Sequence, residues 1–188
     1  MSEGAVAAVI LAAGAGRRMG QPKARVVLQG ESLLHRTARV TLAAGCAPVL
    51  AVVGSAEAGP SDLDVRVVPN PEAEEGLASS IRAGVMALPP DTPATLFLAV
   101  DQPQVDAALL TRLMALYRLS PDLPAACAYA GTLGIPAVFP RRLFPQLLGL
   151  AGDRGAKAIL LREGAASLPF PGGALDLDTP ADLDSFRR

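Results

Sequence analysis

The chain predicts one α/β domain of three layers, α/β/α, built on a mainly parallel sheet. Three observations carry this reading. Short apolar runs with no polar alternation recur along the sequence, as expected of strands buried on both faces. Segments with apolar residues at helical spacing lie between them. The first apolar run empties into a glycine-rich loop, the usual entry to a crossover in such sheets. With 188 residues, 51% hydrophobic and 19% charged, the chain is long and apolar enough to bury one core.

Ala5–Ala12 reads as the first strand, and Val26-Val27-Leu28 is β-like. Glu31–Ala44 reads as a helix, with Leu33, Leu34, Ala38, Thr41 and Leu42 on one face and Gly45 as its stop. Val49–Val53 and Val65–Val68 are strands, and Ser55–Asp64 between them is a polar loop. Ala78–Leu88 is helical and closed by Pro89-Pro90. Thr95–Val100 is a strand, Ala107–Leu119 a helix, and Ala125–Tyr129 and Ala137–Phe139 are short β segments. Arg141–Leu148 and Ala156–Arg162 read as helices, Ala174–Leu177 as a last strand, and Pro180–Arg187 as a last helix capped by Thr179 with Pro180 at its first position.

Composition excludes several classes. A net charge of −1 gives no broad basic footprint for nucleic acid, and five Phe, two Tyr and no Trp give no stacking platform for single strands. Cys46 and Cys127 lack metal-ligand or redox spacing and read as buried free thiols, compatible with a reducing compartment. No run is long enough to span a bilayer and none looks like a secretory leader, so a cytoplasmic protein is expected.

Residues 11–23, L-A-A-G-A-G-R-R-M-G-Q-P-K, carry the chemistry. Glycines let backbone N–H groups approach a phosphate, and Arg17, Arg18 and Lys23 offset its charge. A P-loop requires G-x-x-x-x-G-K-[ST] opening a helix, and here Lys23 follows Pro22 and precedes Ala24. A dinucleotide fingerprint requires G-x-G-x-x-G, and Gly14, Gly16 and Gly20 are one residue too widely spaced. The strand-end rule brings Ala13–Lys23 together with Pro69–Gly76, Asp101–Pro103 and Asp178.

The segment matches the pattern L-A-A-G-x-x-x-R-M-G-x-x-K at every fixed position and so resembles the pyrophosphorylase loop of nucleotidyltransferases, most closely that of the molybdenum cofactor cytidylyltransferases. Four further segments share the resemblance: Asn70 with Gly76-Leu77-Ala78-Ser79-Ser80, Asp101-Gln102-Pro103, Gly134-Ile135-Pro136 with Phe139 together with Gly152-Asp153-Arg154-Gly155-Ala156, and Asp176-Leu177-Asp178-Thr179-Pro180-Ala181-Asp182-Leu183. Relatives often carry His where Ile135 stands.

The resemblance implies a Rossmann-like nucleotide-diphospho-sugar transferase fold and transfer of CMP from CTP to the phosphate of molybdopterin. It implies that Leu11, Ala12, Ala13, Gly14, Gly16, Arg18, Gly20 and Lys23, with Asn70, Gly76, Ser79 and Ser80, hold the nucleotide. Arg18, Lys23 and Asp101 would be catalytic, Asp101 and Asp178 (or Asp176) would hold Mg2+, and Gln102, Gly134, Pro136 and Asp153 would face the acceptor. Ala13 goes with CTP and glycine there with GTP. The implied partners are CTP, a molybdopterin-type acceptor, and a molybdenum hydroxylase or its maturation factor. Asp182 reads as a capping partner, and His35, on a helix away from the strand ends, as outside the chemistry. A sugar-phosphate or methylerythritol-phosphate nucleotidyltransferase, and a non-catalytic nucleotide-binding regulator or cofactor chaperone, are the alternatives.

Overall fold

The structure is a computed structural model that describes residues 5–54 and 59–186. Part of the expected 55–64 loop, and the expected end of the last helix at Arg187, lie outside the described residues. The strands are β1 Ala7–Ala12, β2 Val27–Leu28, β3 Glu31–Ser32, β4 Val49–Gly54, β5 Arg66–Asn70, β6 Ala94–Ala99, β7 Ala125–Tyr129, β8 Thr132–Pro140 and β9 Ala166–Pro169. The helices are α1 Leu33–Ala43, α2 Leu77–Ala87, α3 Ala107–Arg118, α4 Phe144–Leu148, α5 Lys157–Arg162 and α6 Pro180–Phe186.

Seven strands form one sheet in the order β5-β4-β1-β6-β8-β7-β9. The β5-β4-β1-β6 half is parallel, β8 runs antiparallel to both β6 and β7, and β9 is parallel to β7. Side chains of β1 alternate between two cores. Ala8, Ile10 and Ala12 join the cluster under α1 and α3, while Ala7, Val9 and Leu11 join the one under α2, α4 and α5. Both faces are buried, which explains why β1 is an unbroken apolar run. Phe97 and Phe139 meet edge to face at 5.8 Å across the β6–β8 pair, within the second core.

The expected elements are present with shifted ends. Ser32 caps α1 by accepting from the His35 N–H at 3.2 Å, so the helix starts after Glu31, which pairs in the β2–β3 hairpin instead. The 141–148 segment begins with a 3-10 turn before α4. One expectation is corrected. Ala174–Leu177 is not a strand: Pro171–Ala174 is a 3-10 turn, and Leu177 makes only a single bond, N–H to the Asp101 carbonyl at 2.9 Å. Both edges of β6 are already taken by β1 and β8, so the segment can cross its end but cannot pair along it. The strand that closes the sheet is β9, which the sequence reading passed over because it is short and interrupted by proline.

Gly84, buried in α2, shows how closely the second layer sits. A Cβ there would run into Val9 Cγ1 and lie 3.3 Å from Val9 Cγ2 and 3.4 Å from Val52 Cγ2. Alanine in a helix gains about 1 kcal/mol over glycine, but overpacking against stiff β-branched side chains costs about 1–3 kcal/mol. Gly84→Ala is therefore expected to destabilise the protein, by roughly 1–2 kcal/mol on these terms, measured as a lower urea midpoint.

Candidate active site

The carboxyl ends of β1, β5 and β6 face one open cavity of about 510 Å³. Leu11, Ala13, Gly14, Gly16, Arg17, Lys23, Gly76, Ser80, Asp101 and Asp153 are all on its wall. Its glycine loop is held by its own backbone. Met19 N–H donates to the Gly16 carbonyl at 2.8 Å, and the Met19 side chain is buried in the core beneath. Gly16 has φ +57°, and a Cβ there would strike the Gln21 carbonyl, so only glycine fits. Lys23 follows Pro22 in a single 3-10 turn, which aims its stem across the strand ends.

That ammonium sits 2.6 Å from Asp101 Oδ2 and 2.6 Å from Asp178 Oδ1. Asp178 turns its other oxygen, Oδ2, to Arg18 at 2.8 Å. Four charges from three distant parts of the chain thus converge: the loop, the end of β6, and the segment before α6. Burial alone would lower the Lys23 pKa. The bonds to Asp101 and then Asp178 outweigh it, and the net shift is upward. The Lys23 hydrogen bond holds Asp178 below the usual carboxylate range. Asp176 makes neither contact. Burial first, then the Asp101 and Asp178 charges, push its carboxyl up to about 6. Asp178, not Asp176, is the residue that faces Asp101.

The other expected residues fall into two groups. Asn70 and Ser79 lie behind the wall. Asn70 Nδ2 donates to Ser79 Oγ at 2.9 Å and Ser80 Oγ at 3.0 Å, and its Oδ1 accepts from the Glu72 N–H at 3.0 Å. Asn70 thereby fixes the start of α2, leaving Ser80 on the cavity. Ala12 is in the core on the opposite face of β1, and Gly20 lies on the outer turn of the loop, with φ +76°. Gln102, Gly134 and Pro136 gather round Tyr129 instead. Gln102 Nε2 donates to the Gly173 carbonyl at 3.1 Å and to Tyr129 Oη at 3.4 Å, and the Tyr129 hydroxyl donates to the Ile135 carbonyl beside Pro136 at 2.8 Å. A side chain at Gly134 would meet the Tyr129 phenol.

Asp153 shares the cavity of the nucleotide set, apart from the other three acceptor candidates. Its loop docks on α2 through Ala78 N–H to the Gly152 carbonyl at 3.0 Å and Arg82 to the Leu150 carbonyl at 3.0 Å. Gly76, at φ +111°, is what lets that loop approach so closely. Sequence reasoning passed over Glu74 and Leu77 on the wall, and Tyr129 as the hub of the second group. A lone Tyr, Glu or Leu with no spacing partner gave no signal.

Asp182 caps α6 as expected. Its Oδ2 accepts from the Thr179 N–H at 2.7 Å, and its own N–H returns to Thr179 Oγ1 at 3.2 Å. His35 is held by Glu31 at 2.6 Å and Asp62 at 2.9 Å, away from the cavity. Cys46 and Cys127 are buried free thiols whose pKa values burial pushes up to about 12, so both are inert. Among the described residues no helix is long and apolar enough to cross a membrane.

A parallel α/β sheet whose strand ends present a glycine loop, a lysine and two facing aspartates defines a nucleotidyltransferase-type fold and site. The chain belongs to the MobA-like NTP transferase domain family, whose model matches residues 8–166. It is 32% identical to the purine catabolism protein PucB of Bacillus subtilis, over 96% of this chain and 95% of that protein. It is also 32% identical to the molybdenum cofactor guanylyltransferase of Rhodobacter capsulatus, over 95% and 93%. Rv0371c of Mycobacterium tuberculosis superposes with a TM-score of 0.82 at 28% identity, covering 98% of both chains, and has also been solved in complex with manganese.

The Lys23 ammonium separates two carboxylates that would otherwise face each other. Lys23→Met is expected to cost about 1–3 kcal/mol of stability at neutral pH, the size of an uncompensated partly buried charge. The sign follows from the carboxylates. In the wild type, the depressed Asp178 pKa contributes stability above the ordinary carboxylate value and loses it as pH falls. In the variant, repulsion raises the pKa values, so stability falls as pH rises. Urea midpoints of the two proteins should converge in acid and separate towards pH 7.

Proposed function

We propose that the protein is a Mg2+-dependent nucleotidyltransferase that moves CMP from CTP to the phosphate of molybdopterin and releases pyrophosphate. The observation that carries this reading is the convergence of Lys23, Asp101 and Asp178 at the edge of the glycine-loop cavity.

The donor set fits a hard divalent cation. Asp101 Oδ2 and Asp178 Oδ1 already grip one cationic atom, the Lys23 Nζ, at 2.6 Å each. Mg2+ uses one or two carboxylates and takes its remaining ligands from phosphate oxygens and water. When bound there it would neutralise and bridge the phosphates. The manganese complex of Rv0371c supports a divalent ion in this family.

The chain's own residues do the rest by placement. Backbone N–H groups of Gly14–Gly20, with Arg17 and Arg18, hold the β- and γ-phosphates. Lys23 meets the charge that builds at the α-phosphate. An oxygen of the acceptor phosphate attacks the α-phosphorus, the bond to the bridging oxygen breaks, and pyrophosphate leaves with the electron pair. The nucleophile is already an anion, so no general base is needed, in keeping with His35 lying elsewhere. The group around Gln102 and Tyr129, with the neighbouring hollow lined by Gln104, Gly172 and Asp176, is where the acceptor is placed. The choice of CTP rests on Ala13. Its methyl is on the cavity wall, where glycine would leave room for a larger base.

Pyrophosphate release with molybdopterin and either CTP or GTP tests the reading, with sugar phosphates as control acceptors. Turnover should favour CTP, and Ala13→Gly should move the preference towards GTP; a wild-type preference for GTP would sink the cytidylyl assignment. In the same assay Lys23→Ala should lower kcat by about 10²–10³-fold, as for loss of one charge-stabilising donor, where a change in KM alone would make Lys23 a binding contact only.

A further inference from the structure

We infer that Lys23 and Arg18 are the resident counter-cations of the metal site: they hold Asp101 and Asp178 in place until a divalent ion takes the two carboxylates, and are then released together to the triphosphate. The inference rests on the nucleotidyltransferase reading and adds to it a coupling between metal and nucleotide.

The geometry makes the two occupancies exclusive. Lys23 Nζ is 2.6 Å from Asp101 Oδ2 and 2.6 Å from Asp178 Oδ1, so it fills the space between them. A divalent ion bound to both oxygens at about 2 Å would lie almost on the same point. Arg18, at 2.8 Å, occupies the second oxygen of Asp178. The pairing also balances charge, with two cations against two carboxylates. A nucleoside triphosphate arriving alone therefore meets cations that are already engaged, and a metal arriving alone must displace one.

Release needs side-chain motion only. Met19 is buried and its N–H is bonded to Gly16, so the loop backbone stays pinned while the long Lys23 and Arg18 stems turn. Lys23 is already on the wall of the cavity beside Gly14 and Gly16, so it has only to turn inward. The Arg18 side chain is 70% exposed and free to swing. Each ligand thus removes the obstacle to the other, which is positive cooperativity.

The test uses the whole protein and binding alone. By calorimetry with Mn2+ and no nucleotide, Lys23→Met should bind the ion about tenfold or more tighter than wild type, within the usual range of coupling between sites. With CTP and a chelator, Asp178→Asn should bind metal-free nucleotide at least about fivefold tighter than wild type, because its cations are freed. Circular dichroism confirms that each variant is folded, and the second arm stands if Lys23→Met is not. Equal or weaker Mn2+ binding by folded Lys23→Met, or no gain in metal-free CTP binding by Asp178→Asn, overturns the exchange while leaving the transferase reading in place. Absence of Mn2+ binding to wild type and Lys23→Met alike, even with CTP present, overturns both.

Discussion

One lysine ammonium held between two aspartates organises the active end of this molecule. Lys23 follows the first strand, Asp101 follows β6, and Asp178 precedes the last helix, separations of 78 and 155 residues. Such a contact is not kept for stability. At an effective dielectric near 20, a pair of unit charges about 4 Å apart gains about 4 kcal/mol, and much of that is offset by desolvation. Two carboxylates placed face to face would repel, and the ammonium is what makes their approach tolerable. The site is therefore assembled in advance of any ligand, with the oxygens already aimed at a common point.

The rest of the fold serves that placement. Parallel strands end together, so loops from β1, β5 and β6 open on the same edge, and the ligand-binding crevice follows from topology. Close packing makes the edge rigid. Gly84 lets α2 settle on Val9 and Val52, Asn70 pins the start of α2, and Gly76 lets the loop bearing Asp153 dock on that helix. Cations that later act on phosphate are anchored through a buried Met19 and a run of backbone bonds. Backbone rigidity with long, mobile cationic side chains suits a reaction in which positioning and charge do the work.

Most of the fold was legible because both periodicities are strong here. Unbroken apolar runs at β1, β4 and β6 could only be strands covered on two faces, and α1 and α3 carry clear caps at Ser32 and Asp106. The segment 174–177 failed because an apolar stretch reads as a strand whether or not a neighbour has a free edge, and edge occupancy is a property of the whole sheet. β9 failed for the converse reason: a proline-bearing segment of four residues has little signal of its own, and the parallel partner β7 decides it.

By itself the sequence determined the chemistry of each part: glycines where a phosphate must come close, cations to meet it, and carboxylates at strand ends to take a hard cation. Spacing along the loop was enough to exclude the P-loop and the dinucleotide fingerprint, because those depend on local backbone geometry. Only the tertiary structure decided which parts meet. It chose Asp178 over Asp176 as the partner facing Asp101, put Asp153 on the wall shared with Gly76, and turned Asn70 from a ligand candidate into the brace of α2. Those outcomes depend on contacts between residues far apart in the chain, and such contacts leave no local pattern to read.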